Sequence, residues 1–220
     1  MILVQNKMMI LKSIRIRTWI LLIWAGLVFF FYLSGCKNPF KTRESEEPVT
    51  REGTWETPFR PEIVIQNLLH AYNEKIIGNF ILCLSDSFRF SAPEDSIKAV
   101  QDNREELFAN WNKSAEVSVT TSIFTTFRQN VDSISYVLFF DPTPPISDDI
   151  SDTVAVLLRE YEIIISDLKS VPPETKPAKG TATFYMRQTS LNWWSIYFWG
   201  DIPDTSGGYD WGAFKAEFRQ

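Results

Sequence analysis

Regular patterning begins at Pro61. At 100° per residue, Ile65, Leu68, Leu69, Tyr72 and Ile76 fall in one narrow stripe, which predicts an amphipathic helix opening at Pro61 and Glu62 and ending at Gly78. The stretch "NFILCLSDSF" predicts a short second helix leading into a strand, "FRF". A third helix follows over "PEDSIKAVQDNREELFANW", with Ile97, Val100, Leu107, Phe108 and Trp111 on one face. After Lys113 the period changes from 3.6 to 2. "AEVSVTTSIFTTFRQ", "SISYVLFF", "TVAVLLREYEIII", "GTATFYMRQT" and "NWWSIYFWG" are rich in β-branched and aromatic residues and read as strands. "DPTPPISDD" and "SVPPETKPAK" separate them, their prolines being poor members of a ladder. Three helices followed by a run of long strands predict an α+β domain, with the helices packed on a strongly curved antiparallel sheet.

Upstream of this domain the pattern is different. Lys7, Lys12, Arg15 and Arg17 precede an apolar run from Thr18 to Leu33, and no acidic residue occurs before Glu44. That run is shorter than the ~20 residues a membrane-crossing helix needs, and it has the layout of a secretory signal. It ends in Leu33-Ser34-Gly35-Cys36, which resembles the bacterial lipoprotein signal: an aliphatic residue, two small residues, then the cysteine that becomes the mature N-terminus. The resemblance implies a lipidated Cys36 anchored in the membrane of a bacterial cell envelope by two or more acyl chains, which hold far more firmly than one. Lys37 is not the aspartate associated with inner-membrane retention, so the expected location is the outer membrane, facing the periplasm. Residues 1–35 are then the signal peptide. Residues 36–56, of mixed charge and low apolar content, are a flexible tether, and 57–220 are the folded domain.

Removing the signal leaves 18 Lys and Arg against 27 Asp and Glu, a net charge of −9. Such a surface repels phosphate backbones and argues against nucleic acid as a partner. With Cys36 lipidated, Cys83 is the one free thiol, and its apolar neighbours make it a core thiol rather than a nucleophile.

The stretch "PEIVIQNLLHAYNEKIIGNFILCLSDSFRF" resembles the opening of the NTF2-like (SnoaL-like, cone-shaped) superfamily, a long helix ending in an aromatic, a short helix, and an aspartate-bearing entry to the first strand. "NWWSIYFWGD" is similar to that superfamily's last long strand. The likeness spans Pro61 to Asp201, and it implies a cone that either is packed solid or holds a small apolar ligand. "YDWGAFKAEFRQ" extends past the usual domain end and is expected to dock back through Trp211 and Phe214.

Chemistry-bearing residues are sparse. His70 is the single histidine and lies on the polar side of its helix, spaced i,i+4 from Glu74 as in an ordinary surface pair. No metal-ligand spacing, phosphate loop or cofactor motif is present, and the carboxylates of "SDDISD" lack the glycine and distal glutamate of a calcium hand. The expected cone lining is Tyr72, Phe90, Trp111, Phe184, Trp194 and Ile196, from apolar helix stripes and inward strand positions. Glu160 and Glu162 interrupt the strand side that bears Val154, Val156 and Leu158. Facing inward, they would have raised pKa values suited to a base; at a strand end beyond the helices, they would sit in water.

The chain carries eight tryptophans, seven tyrosines and seventeen phenylalanines, more than a small core absorbs. Alternation places Tyr185 and Arg187, and on the next strand Trp193, Tyr197 and Trp199, on the outer face. This surface is expected to pair with a second copy or to be covered by the chain's own tail. Together these features read as a lipid-anchored, non-catalytic binding or assembly module without a cofactor. The alternative is a cavity enzyme of the isomerase, dehydratase or cyclase type using a buried carboxylate.

Overall fold

Proline at the first helical position opens two of the helices, where its missing N–H costs nothing and its fixed φ suits the first turn. The computed structural model describes residues 53–205 and 208–219. In it, α1 spans Pro61–Glu74 and ends at Lys75, whose left-handed backbone (φ 59°) returns its N–H to the last turn. Gly78 therefore does not stop α1; it lies inside α2, Ile77–Cys83. Strand β1 follows directly over Leu84–Ser91, and α3 covers only Pro93–Gln101 before a 3₁₀ turn at Glu105–Leu107. The expected third helix is thus broken. Ile97 and Val100 lie on its exposed side, while Trp111 is buried beyond it.

The largest departure from the sequence reading is α4, Lys113–Gln129, where a strand was expected. Asn112 caps it, its side chain accepting the Ala115 N–H at 3.1 Å. Glu116, Val119, Thr120, Ile123, Phe124 and Phe127 are the buried positions. Their spacing of three and four is the helical one, and tertiary packing overrides the strand preference of a Val/Ile/Thr-rich composition. Five α-helices, α5 being the last at Trp211–Ala216, therefore stand among the described residues. None of these is long and apolar enough to cross a membrane. The expected signal peptide, Cys36 and all of the expected tether before Gly53 lie outside the described residues.

The remaining strands are β2 (Ile134–Phe140), β3 (Asp149–Ile150), β4 (Val154–Asp167), β5 (Glu174–Gln188) and β6 (Trp194–Pro203). They form a curved sheet in the order β1-β6-β5-β4-β2, with β3 flanking β4. The sheet is mixed, not antiparallel. β1 runs parallel to β6, with two α-helices and four strands between them in sequence, whereas the hairpin-connected strands pair antiparallel. Pro177 sits within β5 and not in a separator. There β5 has β4 on one side only, since pairing with β6 begins at Gly180, so proline's missing donor falls on an open edge.

One irregularity decides which aromatics are inside. Between β5 and β6 the register slips: Tyr185 faces Phe198 while Met186 faces Ile196, leaving Tyr197 as an extra residue. Trp194 and Ile196 point to the core before the bulge, and Trp199 and Asp201 after it. The expected outward position of Trp199 is therefore incorrect. It is fully buried, 5.0 Å from the Phe184 ring and 5.7 Å from Phe90. Replacing Trp199 with alanine is expected to cost about 3–5 kcal/mol in urea unfolding, as deleting a large core aromatic does. Trp193→Ala, at a half-buried position, should cost less than half as much; equal losses would contradict the bulge.

Candidate functional site

On the helix-covered face of the sheet the innermost space is occupied by the chain's own last helix. Asp210 starts α5 by accepting the Ala213 N–H at 2.8 Å. Trp211 follows, its indole N–H donating to the Tyr72 hydroxyl (3.1 Å) and its backbone N–H to the Tyr161 hydroxyl (2.7 Å). Its ring stands edge-on to Trp199 at 4.4 Å and to Tyr72 at 4.9 Å. Gly212 donates its N–H to Asp201 Oδ2 at 2.7 Å, and a Cβ there would collide with the Asp95 carboxylate and Ala92. The close approach admits only glycine. Phe214 packs against Phe127 and Tyr136 at 6.1 Å from each.

Lys215 carries the charge into this apolar setting. It is fully buried, with its Nζ 2.8 Å from Glu116 Oε1, itself fully buried on α4. The ammonium also lies over the rings of Trp199 (3.4 Å) and Phe90 (3.9 Å). The other Glu116 oxygen accepts the Trp111 indole N–H at 2.8 Å. Burial pushes the Lys215 pKa down, and Glu116 opposes that shift.

Around the start of α5 three carboxylates converge: Asp95 from α3, Asp201 from β6 and Asp210. Burial raises all three. Asp95 is pushed up to about 8, with Asp210 as a further cause through its hydrogen bond and charge. Asp201 is pushed up to about 7, again with Asp210 adding to burial, and Asp210 is raised chiefly by burial. The geometry is that of neighbouring acids that cannot all ionise, so the cluster retains protons at neutral pH. Among the described residues no group of three His, Cys, Asp or Glu side chains could hold a metal ion.

Tyr72, Phe90, Trp111, Phe184, Trp194 and Ile196 are all buried, and they belong to one packed core together with Trp211 and Phe214. Glu160 and Glu162 are not in that core. The β4 side bearing Val154, Val156 and Leu158 is the outer one, and Ala155, Leu157, Tyr161 and Ile163 point inward. Glu160 is exposed, and Glu162 pairs with Lys179 at 3.0 Å on the wall of an outer cleft of about 350 Å³. On the outer sheet face Arg187 lies 4.4 Å over the Tyr197 ring, and Tyr185 contacts both Tyr197 and Phe198. Trp193 belongs instead to a cleft at the β5–β6 turn. His70 remains half-exposed, 4.0 Å from Glu74, and Cys83 is a buried thiol whose pKa burial raises.

Sequence reasoning missed Glu116, Tyr161, Lys215 and the three aspartates. The readable signal was in "DWGAFKAEF", an N-cap residue, a glycine and one lysine among apolar positions.

No protein-family model matches this chain, and no curated protein matches its sequence. Its structure is similar to that of a ketosteroid isomerase-like protein from Erwinia carotovora atroseptica (11% identity, 66% of this chain and 93% of that one, TM-score 0.41). It is also similar to a nuclear transport factor 2 (NTF2-like) superfamily protein from Salmonella enterica serovar Typhimurium (13%, 66% and 89%, 0.44). A third likeness is to ActVI-ORFA from Streptomyces coelicolor (10%, 64% and 92%, 0.45). Likeness at this level says nothing of ligand, chemistry or assembly.

Two outcomes follow from the site. Lys215→Met should cost about 3–5 kcal/mol, because it leaves the Glu116 charge buried without its counter-ion, and adding Glu116→Gln, which keeps an acceptor for the Trp111 indole N–H, should recover most of the loss in urea unfolding. No recovery in the double variant would place the cost in packing. The raised aspartates hold protons in the folded chain that the unfolded chain has already lost, so stability should fall as pH rises from about 5 to 8. The slope is up to ~1.4 kcal/mol per pH unit for each retained proton. Asp95→Asn should flatten that slope in urea midpoints measured across the window.

Proposed function

We propose that this chain is a lipid-anchored NTF2-like module of the bacterial cell envelope, attached to the membrane through Cys36, that works by binding or assembly and not by catalysis. The observation that carries the reading is the occupancy of the interior. Trp211, Phe214 and Lys215 fill the space where a small molecule would bind, and Lys215 is held there by a buried ion pair. The apolar surface left over is on the outside. Val137, Phe139, Val154 and Ile202 are exposed on the outer sheet face; Val154 pairs with Arg187, near Tyr185 and Tyr197, and the other three lie further along the strands toward the β4–β5 end. Because α5 is consumed inside, it does not cover this face. A second copy pairing sheet to sheet is the partner that fits, with Tyr and Arg as anchors that bury large area while keeping a polar tip satisfied.

The acid cluster favours a second reading. Asp201 and Tyr161 sit side by side in an apolar interior, and Asp201 has a pKa near neutrality, as a general acid or base requires. That reading needs α5 to leave its seat and admit a substrate.

The purified native protein tests the proposal in two parts. Mass spectrometry should find an N-terminal diacylglyceryl cysteine at Cys36, and Cys36→Ala should accumulate as a precursor. Sedimentation in detergent should give a dimer that Tyr185→Ala with Tyr197→Ala converts to a folded monomer. A wild-type monomer at high concentration defeats the assembly claim, and an unmodified Cys36 defeats the anchor.

A further inference from the structure

At the end of the sheet where the β5–β6 turn meets α2 lies a cleft of about 290 Å³ lined by Trp55, Pro58, Ile81, Leu82, Trp193 and Trp194. Its rim carries exposed apolar side chains beside the Asp86–Lys113 pair. Leu82 projects from α2 and Leu191 from the turn, while Phe59, next to Pro58, is 60% exposed. Half-buried Trp55 and Trp193 over the buried Trp194, with leucine and phenylalanine at the rim, form the side-chain set that settles at the boundary between lipid headgroups and acyl chains. Polar groups at the cleft are already engaged: Lys113 bonds Asp86 (2.9 Å) and the Leu84 carbonyl (3.0 Å).

The chain also enters the domain here. Thr54 N–H bonds Glu74 (2.7 Å), Glu56 exchanges two hydrogen bonds with Asn67, and the Pro58 carbonyl accepts the Trp194 N–H (2.8 Å). Residues 54–58, assigned in part to the tether by sequence, are thus bound to the domain. Seventeen residue steps separate Cys36 from Gly53. Even fully extended, a chain of that length spans no more than roughly 55–60 Å. A lipid on Cys36 would hold the entry point within that distance of the bilayer, at an effective concentration at which even a weak surface binds.

We propose that this tryptophan-lined end of the domain docks onto the lipid surface that carries the anchor. The inference rests on lipidation of Cys36 and adds to it an orientation: the β5–β6 turn faces the bilayer and the β4–β5 connection faces away. The two turns stand at opposite ends of the fifteen-residue strand β5.

Nitroxide labels on the full lipidated protein, reconstituted in phosphatidylethanolamine–phosphatidylglycerol vesicles, test it. Cys36 is acylated and Cys83 buried, so Leu191→Cys supplies the one reactive thiol. Val171→Cys, at a 96% exposed position on the β4–β5 connection, is the control. Collision with a water-soluble nickel chelate should be at least about threefold lower at position 191 than at 171, as expected for a label at the headgroup–acyl boundary. With the label at Phe59→Cys, adding Leu82→Glu and Leu191→Glu should restore the control value. Equal access at 191 and 171 in protein that floats with the vesicles overturns the docking and leaves the anchor standing. Protein that does not float overturns both. Protection at 191 that persists in Cys36→Ser protein without vesicles assigns the surface to a second copy and overturns the lipid partner.

Discussion

The structure depends on how one short C-terminal helix is held inside the sheet. A six-residue helix has almost no stability of its own, so α5 exists because of what it touches. Its seat combines a large apolar payload, Trp211 and Phe214, with a single charge, Lys215, whose burial is tolerable only because Glu116 meets it and aromatic faces surround it. The ion pair adds little net stability over an apolar filling of the same shape. It does set position, since α5 shifted by one turn would leave both charges buried and alone.

From that seat the chemistry of the interior follows. The Gly212 N–H reaches Asp201 only because no side chain intervenes, and Asp210 caps α5 from the same spot. Three carboxylates are thereby brought together in a place where they cannot all be charged. In an open site that arrangement would be acid–base machinery. Here the helix that assembles it also fills the adjoining interior. On the proposed reading, function falls to the outer surfaces, the aromatic sheet face and the tryptophan-lined end where the chain enters.

Much of this was legible in the chain, and the parts that were not have physical reasons. The stripe of α1, the hydrophobic alternation of β2 and β4, and the turn-separated β5 and β6 were readable because one face of each is buried against a single layer. Helix α4 was misread because its β-branched residues advertise a strand, although Glu116, Val119, Thr120, Ile123 and Phe127 keep the helical spacing. Trp199 was placed outside because alternation was carried through Tyr197, and a bulge leaves no mark in residue types. Glu160 and Glu162 were candidates because they interrupt an apolar run, but that run belongs to the outer face, where carboxylates need no explanation. The aspartates that are buried come from three distant segments, α3, β6 and the start of α5, and no local pattern joins them.

Held in this way, α5 is a permanent part of the core and not a cover that comes and goes. Native-state hydrogen exchange of the α5 amides tests it most directly, because local opening and global unfolding give different protection. Phe214 donates to the Asp210 carbonyl and Gly212 to Asp201, so both amides can be followed. Protection of these amides within about tenfold of that at Phe184 in β5, with the same dependence on urea, is the predicted result. Exchange several orders of magnitude faster than at Phe184, and insensitive to urea, would mean that α5 leaves its seat while the sheet stays folded and is not a permanent part of the core.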